Sequence, residues 1–240
     1  MSGDLEQEYF SDGISEDIIT DLSKVSALAV VSRNTAFTFK GKHVDLPQVA
    51  KQLKVNYVLE GSVRRAGGRV RITAQLIEAS SDNHLWAERY DRDLNDIFAL
   101  QDEISEAIVK ALRLKLLPEE KKAIEQRGTT NLQAYNLYLM ARQRYATGQM
   151  SDARRSDTVI RLCRGAIELD PNYARAWALM ATAQRHRMYA TGQGDNGSVA
   201  AARAIELDAN LAEAHAAKAG VHAAAGDYGA AEEELAIAMR

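Results

Sequence analysis

The sequence predicts an α+β domain followed by an all-α solenoid, and three observations carry that reading. Apolar and polar residues alternate over residues 57–79, the mark of half-buried strands. Helically spaced apolar residues bracket that stretch on both sides. From residue 129 onward strand-like alternation stops, alanine becomes abundant, and a whole phrase of sequence repeats. Residues 1–128 and 129–240 are therefore read as two domains.

In the first domain Ile14, Ile18, Leu22 and Val25 step by four, four and three, giving one apolar stripe on a helix. Its start is expected at Ser11 or Asp12 as N-cap, with Glu16 and Asp17 favoured by the helix dipole. LAVVS (28–32) reads as a short buried strand. DLPQVAKQLKV (45–55) reads as a second helix, with Asp45 as cap and Pro47 tolerated in the first turn. YVLEGSVRR (57–65) and RVRITAQLIEA (69–79) flank Ala66-Gly67-Gly68, a hairpin turn. In the second arm Val70, Ile72, Ala74 and Leu76 face a core while Arg71, Thr73 and Gln75 face water. HLWAERYD (84–91) follows as a third paired strand. Ile97, Leu100, Ile104, Ile108 and Leu112 mark a long helix running to about Leu117, with Pro118 beyond. The order predicts a mixed sheet with helices on one side.

In the second domain AIELDPNYARAW (166–177) returns as AIELDANLAEAH (204–215), 38 residues later, and Ala204-Ile205 returns as Ala238-Met239 after 34. A period of about 34 residues in helix–turn–helix units is the tetratricopeptide pattern. Trp177 takes the opening aromatic position, and Gly226-Asp227-Tyr228 makes the turn between paired helices. The four extra residues of the longer unit fall in TGQGDNGS, and an earlier unit opens at Ala134-Tyr135-Asn136-Leu137-Tyr138. About two and a half units result. Leu235, Ile237 and Met239 are expected to lack the neighbouring helix that a solenoid uses to cover such a face.

The segments EYFSDGISEDIITDLSK, SRNTAFTFKG and YVLEGSVRRAGGRVRITAQLIEASSDNHLWAERYDRDLNDIFALQDEI, with the helical repeats after them, resemble one bacterial module. It is similar to the TolB N-terminal-like domain plus tetratricopeptide array found at the C-terminal end of many class III adenylate/guanylate cyclases. The same module follows the winged-helix domain of CadC-like transcription regulators. The resemblance implies a strand of the type IAVLPF ahead of the acidic opening, and hence that Met1 is an internal methionine. It also implies a non-catalytic sensory or scaffolding part of a cyclase or regulator. A free-standing tetratricopeptide adaptor and a small-anion or nucleotide sensor are the alternatives.

Composition narrows the classes. A net charge of −3 and a pI near 6.0 argue against a nucleic-acid footprint. The lone Cys163 cannot form an internal disulfide, and its repeat position makes it a helix-core thiol. No apolar run approaches the roughly 20 residues of a spanning helix. Read alone, the chain is soluble and cytoplasmic; relatives with a membrane span just upstream would turn the module to the periplasm.

Candidate sites are few. The acidic opening lacks the spacing of a calcium loop. Gly41-Lys42 lacks the upstream glycine and the following Ser or Thr of a phosphate loop, so Phe37 and Phe39 read as core anchors. His43, His84, His186, His215 and His222 show no zinc spacing, with His215 a packing residue. No catalytic residue, metal or cofactor is expected. Arg64, Arg65, Arg69 and Arg71 ring the hairpin tip, as an anion contact or as a charge-guarded edge. The expected partner is a protein or peptide in the groove of first helices, or a second copy of the chain. Tyr135, Tyr138, Arg142, Trp177, Gln184, Arg185, Lys218 and His222 are candidates for that wall.

Overall fold

The computed structural model describes residues 5–42, 44–125, 128–147 and 152–239. Met1, His43 and Arg240 lie outside them, so the expectations placed on those three are not addressed by the structure. Two compact units divide the chain, Met1–Arg127 and Gly128–Arg240.

The first unit is α+β. Its sheet has three antiparallel strands in the order β1 (Tyr57–Ala66), β2 (Arg69–Glu78) and β3 (Asn83–Asp93). Gly67 and Gly68, at φ +56° and +78°, close β1 onto β2 in a two-residue turn of the kind that matches strand twist. Val70, Ile72, Ala74 and Leu76 are buried, whereas Arg71 is exposed and Thr73 and Gln75 are half-buried. A register shift after Leu76 sets Leu85 out of the β2–β3 pairing and into solvent.

Two helices bury their stripes against this sheet. Helix α1 (Leu5–Ser23) packs on β1, and α4 (Ile97–Ala111) packs on β2, β3 and α1. Phe10, Ile14, Ile18 and Leu22 of α1 meet a core that includes Ile97, Leu100, Ile104 and Ile108 of α4. Each such fully buried aliphatic side chain contributes roughly 1.5–3 kcal/mol. Between them lie short helices α2 (Arg33–Phe37) and α3 (Leu46–Leu53), and α5 (Pro118–Glu125) follows α4. Asp45 caps α3 by accepting from the Gln48 amide.

Five expectations are corrected. The helix begins at Leu5, so Ser11 and Asp12 are interior: Phe10 is buried four residues before Ile14 and extends the stripe by a turn. Residues 28–32 join no strand: none of them is buried, and they pair with no neighbour in the sheet. Without that strand the sheet is wholly antiparallel instead of mixed. The long helix stops at Ala111, because Arg113 turns left-handed at φ +57°, and Pro118 opens a separate helix. Phe37 and Phe39 are only half-buried, and Phe37 carries Arg33 over its ring at 4.1 Å.

The second unit is helical: α6 (Leu132–Ala146), α7 (Ala153–Leu169), α8 (Ala174–Thr191), α9 (Ser198–Leu207), α10 (Ala212–Ala224) and α11 (Tyr228–Ala238). Each packs on the next, and α8 also packs on α6 and α10. The repeated phrase folds twice into the same turn. Asp170 ends α7 with its amide on Ala166 O at 2.9 Å, and Asp208 ends α9 on Ala204 O at 3.0 Å. Both side chains then accept from the amide two residues on, Asn172 and Asn210, at 3.0 Å. Ala166 and Ala204 are fully buried, so a larger side chain could not occupy either place. Leu235, Ile237 and Met239 are exposed.

Candidate functional site

The acidic opening does structural work. Glu16 meets Arg33 at 3.1 Å, Asp17 accepts from Gln101 of α4 at 2.9 Å, and Asp21 meets Lys24 at 3.0 Å. Lys40 bridges Glu8 and Asp12. Glu120 behaves alike: its carboxylate accepts from the hydroxyl and amide of Ser26 and from the Leu117 amide, which hold its pKa below the ordinary value. These carboxylates hold elements of the unit to one another.

The hairpin arginines are divided. Arg69 and Arg71 both donate to Asp91 of β3, at 2.5 and 2.6 Å, and their hydrogen bonds, Arg71's first, hold the Asp91 carboxyl below its ordinary range. Arg65 lies over the Phe10 ring at 5.6 Å, and Arg64 is exposed beside Arg71 in register. Two of the four guanidinium groups are thus already matched by a carboxylate.

The groove candidates separate too. Tyr135 and Tyr138 are buried, and Tyr138 packs on Tyr173 with ring centres 5.0 Å apart, so both belong to the core and not to an accessible wall. Trp177 is half-buried and donates its indole N–H to Pro171 O at 3.0 Å. Arg142, Gln184, Arg185, Lys218 and His222 are half-exposed on α6, α8 and α10. Lys218 reaches Glu234 at 2.6 Å, and Arg142 donates to the Tyr138 hydroxyl at 3.3 Å. Cys163 is fully buried, which pushes its thiol pKa far up and leaves it unreactive.

His215 is more than packing. Its Nε2 meets Ala209 O at 2.9 Å and its Nδ1 meets Glu234 at 2.6 Å, so both nitrogens face acceptors and both bonds are made together only by the protonated ring. His186 of α8 is buried in the opposite setting. Arg185 Nη2 donates to its Nε2 at 3.0 Å, which leaves the ring proton on Nδ1. The Tyr145 ring stacks on it at 5.7 Å, and buried Arg155 lies 5.2 Å from the same tyrosine. Sequence reasoning missed Arg155. It stands four residues before Val159 and eight before Cys163, a charged residue on the apolar stripe of α7, which was the available signal.

Among the described residues no three His, Cys, Asp or Glu side chains gather as a metal ion would need. No helix among them is long and apolar enough to cross a membrane. Residues 4–107 match the model for the second domain of HilA/YgeH-like transcriptional regulators. A Rhizobium meliloti (strain 1021) protein named "Putative adenylate cyclase 3" is 52% identical over 178 residues, which cover 74% of this chain and 30% of that protein. The chain therefore spans about 30% of the length of this curated relative. It carries a bacterial domain of the regulatory type, similar to the second domain of HilA/YgeH-like regulators, and has a homologue named as an adenylate cyclase.

Proposed function

We propose that this chain is a non-catalytic regulatory and protein-interaction module, the sensory or scaffolding part of a larger bacterial nucleotide cyclase. Its α+β unit is of the TolB N-terminal type, and its helical unit is a tetratricopeptide array. The observation that carries this reading is the doubled turn, in which Asp170 leads from α7 into α8 and Asp208 leads from α9 into α10 through the same hydrogen bonds. A stack built that way aligns its first helices into one wall suited to an extended peptide. Arg142, Gln184, Arg185, Lys218 and His222, half-exposed on α6, α8 and α10, supply its polar contacts. The long cyclase-named relative supports the signalling context, and the regulator-type match supports a role without chemistry.

The test is the intact mass of the native protein, captured with an antibody raised against residues 129–240. A polypeptide well above 26.4 kDa, with peptides preceding Met1, supports a module within a larger signalling protein. A band at 26.4 kDa, with no such peptides, would instead make the chain a free-standing adaptor.

A further inference from the structure

Among the described residues, three buried hydrogen-bond donors of the helical unit have no acceptor. Arg155, at 3% exposure, makes no hydrogen bond or ion pair through its guanidinium with any described residue, and its Nε is buried without a partner. Arg185 Nε is buried and unpartnered too. So is Nδ1 of His186, also 3% exposed, and that nitrogen carries the ring proton because Arg185 occupies Nε2 as a donor. The three residues share one neighbourhood. Arg155 and His186 both lie against the Tyr145 ring, Arg185 touches His186, and both arginines lower the proton affinity of that histidine, after burial itself.

A guanidinium has five N–H groups and no acceptor capacity, so it cannot satisfy another arginine. Buried charge is normally paired, and buried donors are normally bonded. Here two positive charges and one neutral imidazole N–H meet with no carboxylate bonded to them among the described residues. The space around Arg185 is also made by sequence: a Cβ on Gly220 of α10 would sit 2.7 Å from Arg185 Nε.

We propose that Arg155, Arg185 and His186 form a binding site for one oxyanion, a phosphate or a carboxylate. Arg155 and Arg185 supply charge and forked donors, and His186 adds one neutral N–H. Tyr145 holds Arg155 and His186 in place through its ring. The site goes beyond the peptide-groove reading and can be tested without any peptide.

The full 240-residue chain is placed in phosphate-free chloride buffer, and the Nε–Hε signals of Arg155 and Arg185 are followed by NMR. Sodium phosphate is added to one sample and hexaglutamate to another. A saturable shift of both signals supports the site. A response to phosphate alone identifies a free oxyanion, and a response to hexaglutamate alone identifies a carboxylate carried on a polypeptide. Gly220→Ala keeps every charge but crowds Arg185, and it is expected to weaken binding about tenfold, the loss of one charge-assisted hydrogen bond. Arg155→Lys, which keeps the charge and loses the fork, should do the same. No saturable shift with either probe overturns the site, as does an affinity that Gly220→Ala leaves unchanged. A silent hexaglutamate arm with a working phosphate arm counts against an acidic peptide in the groove and not against the site.

Discussion

His215 Nδ1 lies 2.6 Å from Glu234 Oε2, and this pair ties α10 to α11. Burial alone would lower the His215 pKa. The hydrogen bonds to Glu234 and Ala209 O, with the charge of Glu234, outweigh it and raise the pKa above 6.5. Burial alone would raise the Glu234 pKa, but Lys218 and His215 bring it below the ordinary value.

The pair therefore has a stability window. The histidine contribution is complete below its unfolded pKa and disappears as pH rises through the raised folded value. The glutamate contribution is present above its unfolded pKa and disappears as pH falls through the lowered folded value. Thermal unfolding of the helical unit should be most resistant in mildly acidic solution. Glu234→Gln should remove most of this dependence and cost on the order of 1–2 kcal/mol there. A flat profile in the unsubstituted chain would contradict the doubly bonded imidazolium.

The two repeated turns should not be equal in strength. Asp208→Ala loses the bond to the Asn210 amide, at a cost of about 1 kcal/mol. Asp170→Ala loses the equivalent bond and also the Thr129 hydroxyl, which donates to the other carboxylate oxygen at 2.5 Å, so its cost should be roughly twice as large. Urea midpoints of the two variants check the order.

In the α+β unit, Ile104→Ala removes a fully buried side chain of α4. A loss of about 2–5 kcal/mol is expected, read from denaturant unfolding of that unit.

At the hairpin, Asp91→Ala should leave the unfolding midpoint nearly unchanged, since its pairs with Arg69 and Arg71 are exposed. It should instead create phosphate binding at the β1–β2 tip, by freeing two guanidinium groups to join Arg64. Calorimetry showing phosphate bound by the unsubstituted tip, and lost in Arg65→Ala/Arg69→Ala, would favour the anion-sensor reading.

The sequence was most legible where period and chemistry agreed. Alternation placed β2, Gly67-Gly68 placed the turn, and Asp45 with Pro47 placed α3. The phrase AIELDPNYARAW revealed its recurrence because Ala166, Asp170 and the next helix start are fixed by one turn geometry. LAVVS misled because β-branched residues also suit extended chain that joins no sheet. The α4 end was hidden because Leu112, Leu114 and Leu117 prolong an apolar pattern past Arg113, where the backbone turns. At the candidate sites, exposure separated residues that spacing treated alike: Tyr138 is core and Gln184 is half-open. Arg155 escaped notice, and His186 was weighed only for zinc spacing, because a missing partner is visible only in three dimensions.

Cyclic AMP synthesis by the native polypeptide tests a regulatory, non-catalytic role most directly. It would be measured with and without Arg142→Ala, Gln184→Ala and His222→Ala combined, beside the 240-residue chain alone. A regulatory module should make no cyclic nucleotide by itself, and the substitutions should change the rate of the intact polypeptide about fivefold or more at an unchanged unfolding midpoint. Cyclic nucleotide formed by the 240-residue chain, or a rate untouched by the three substitutions, would contradict that role.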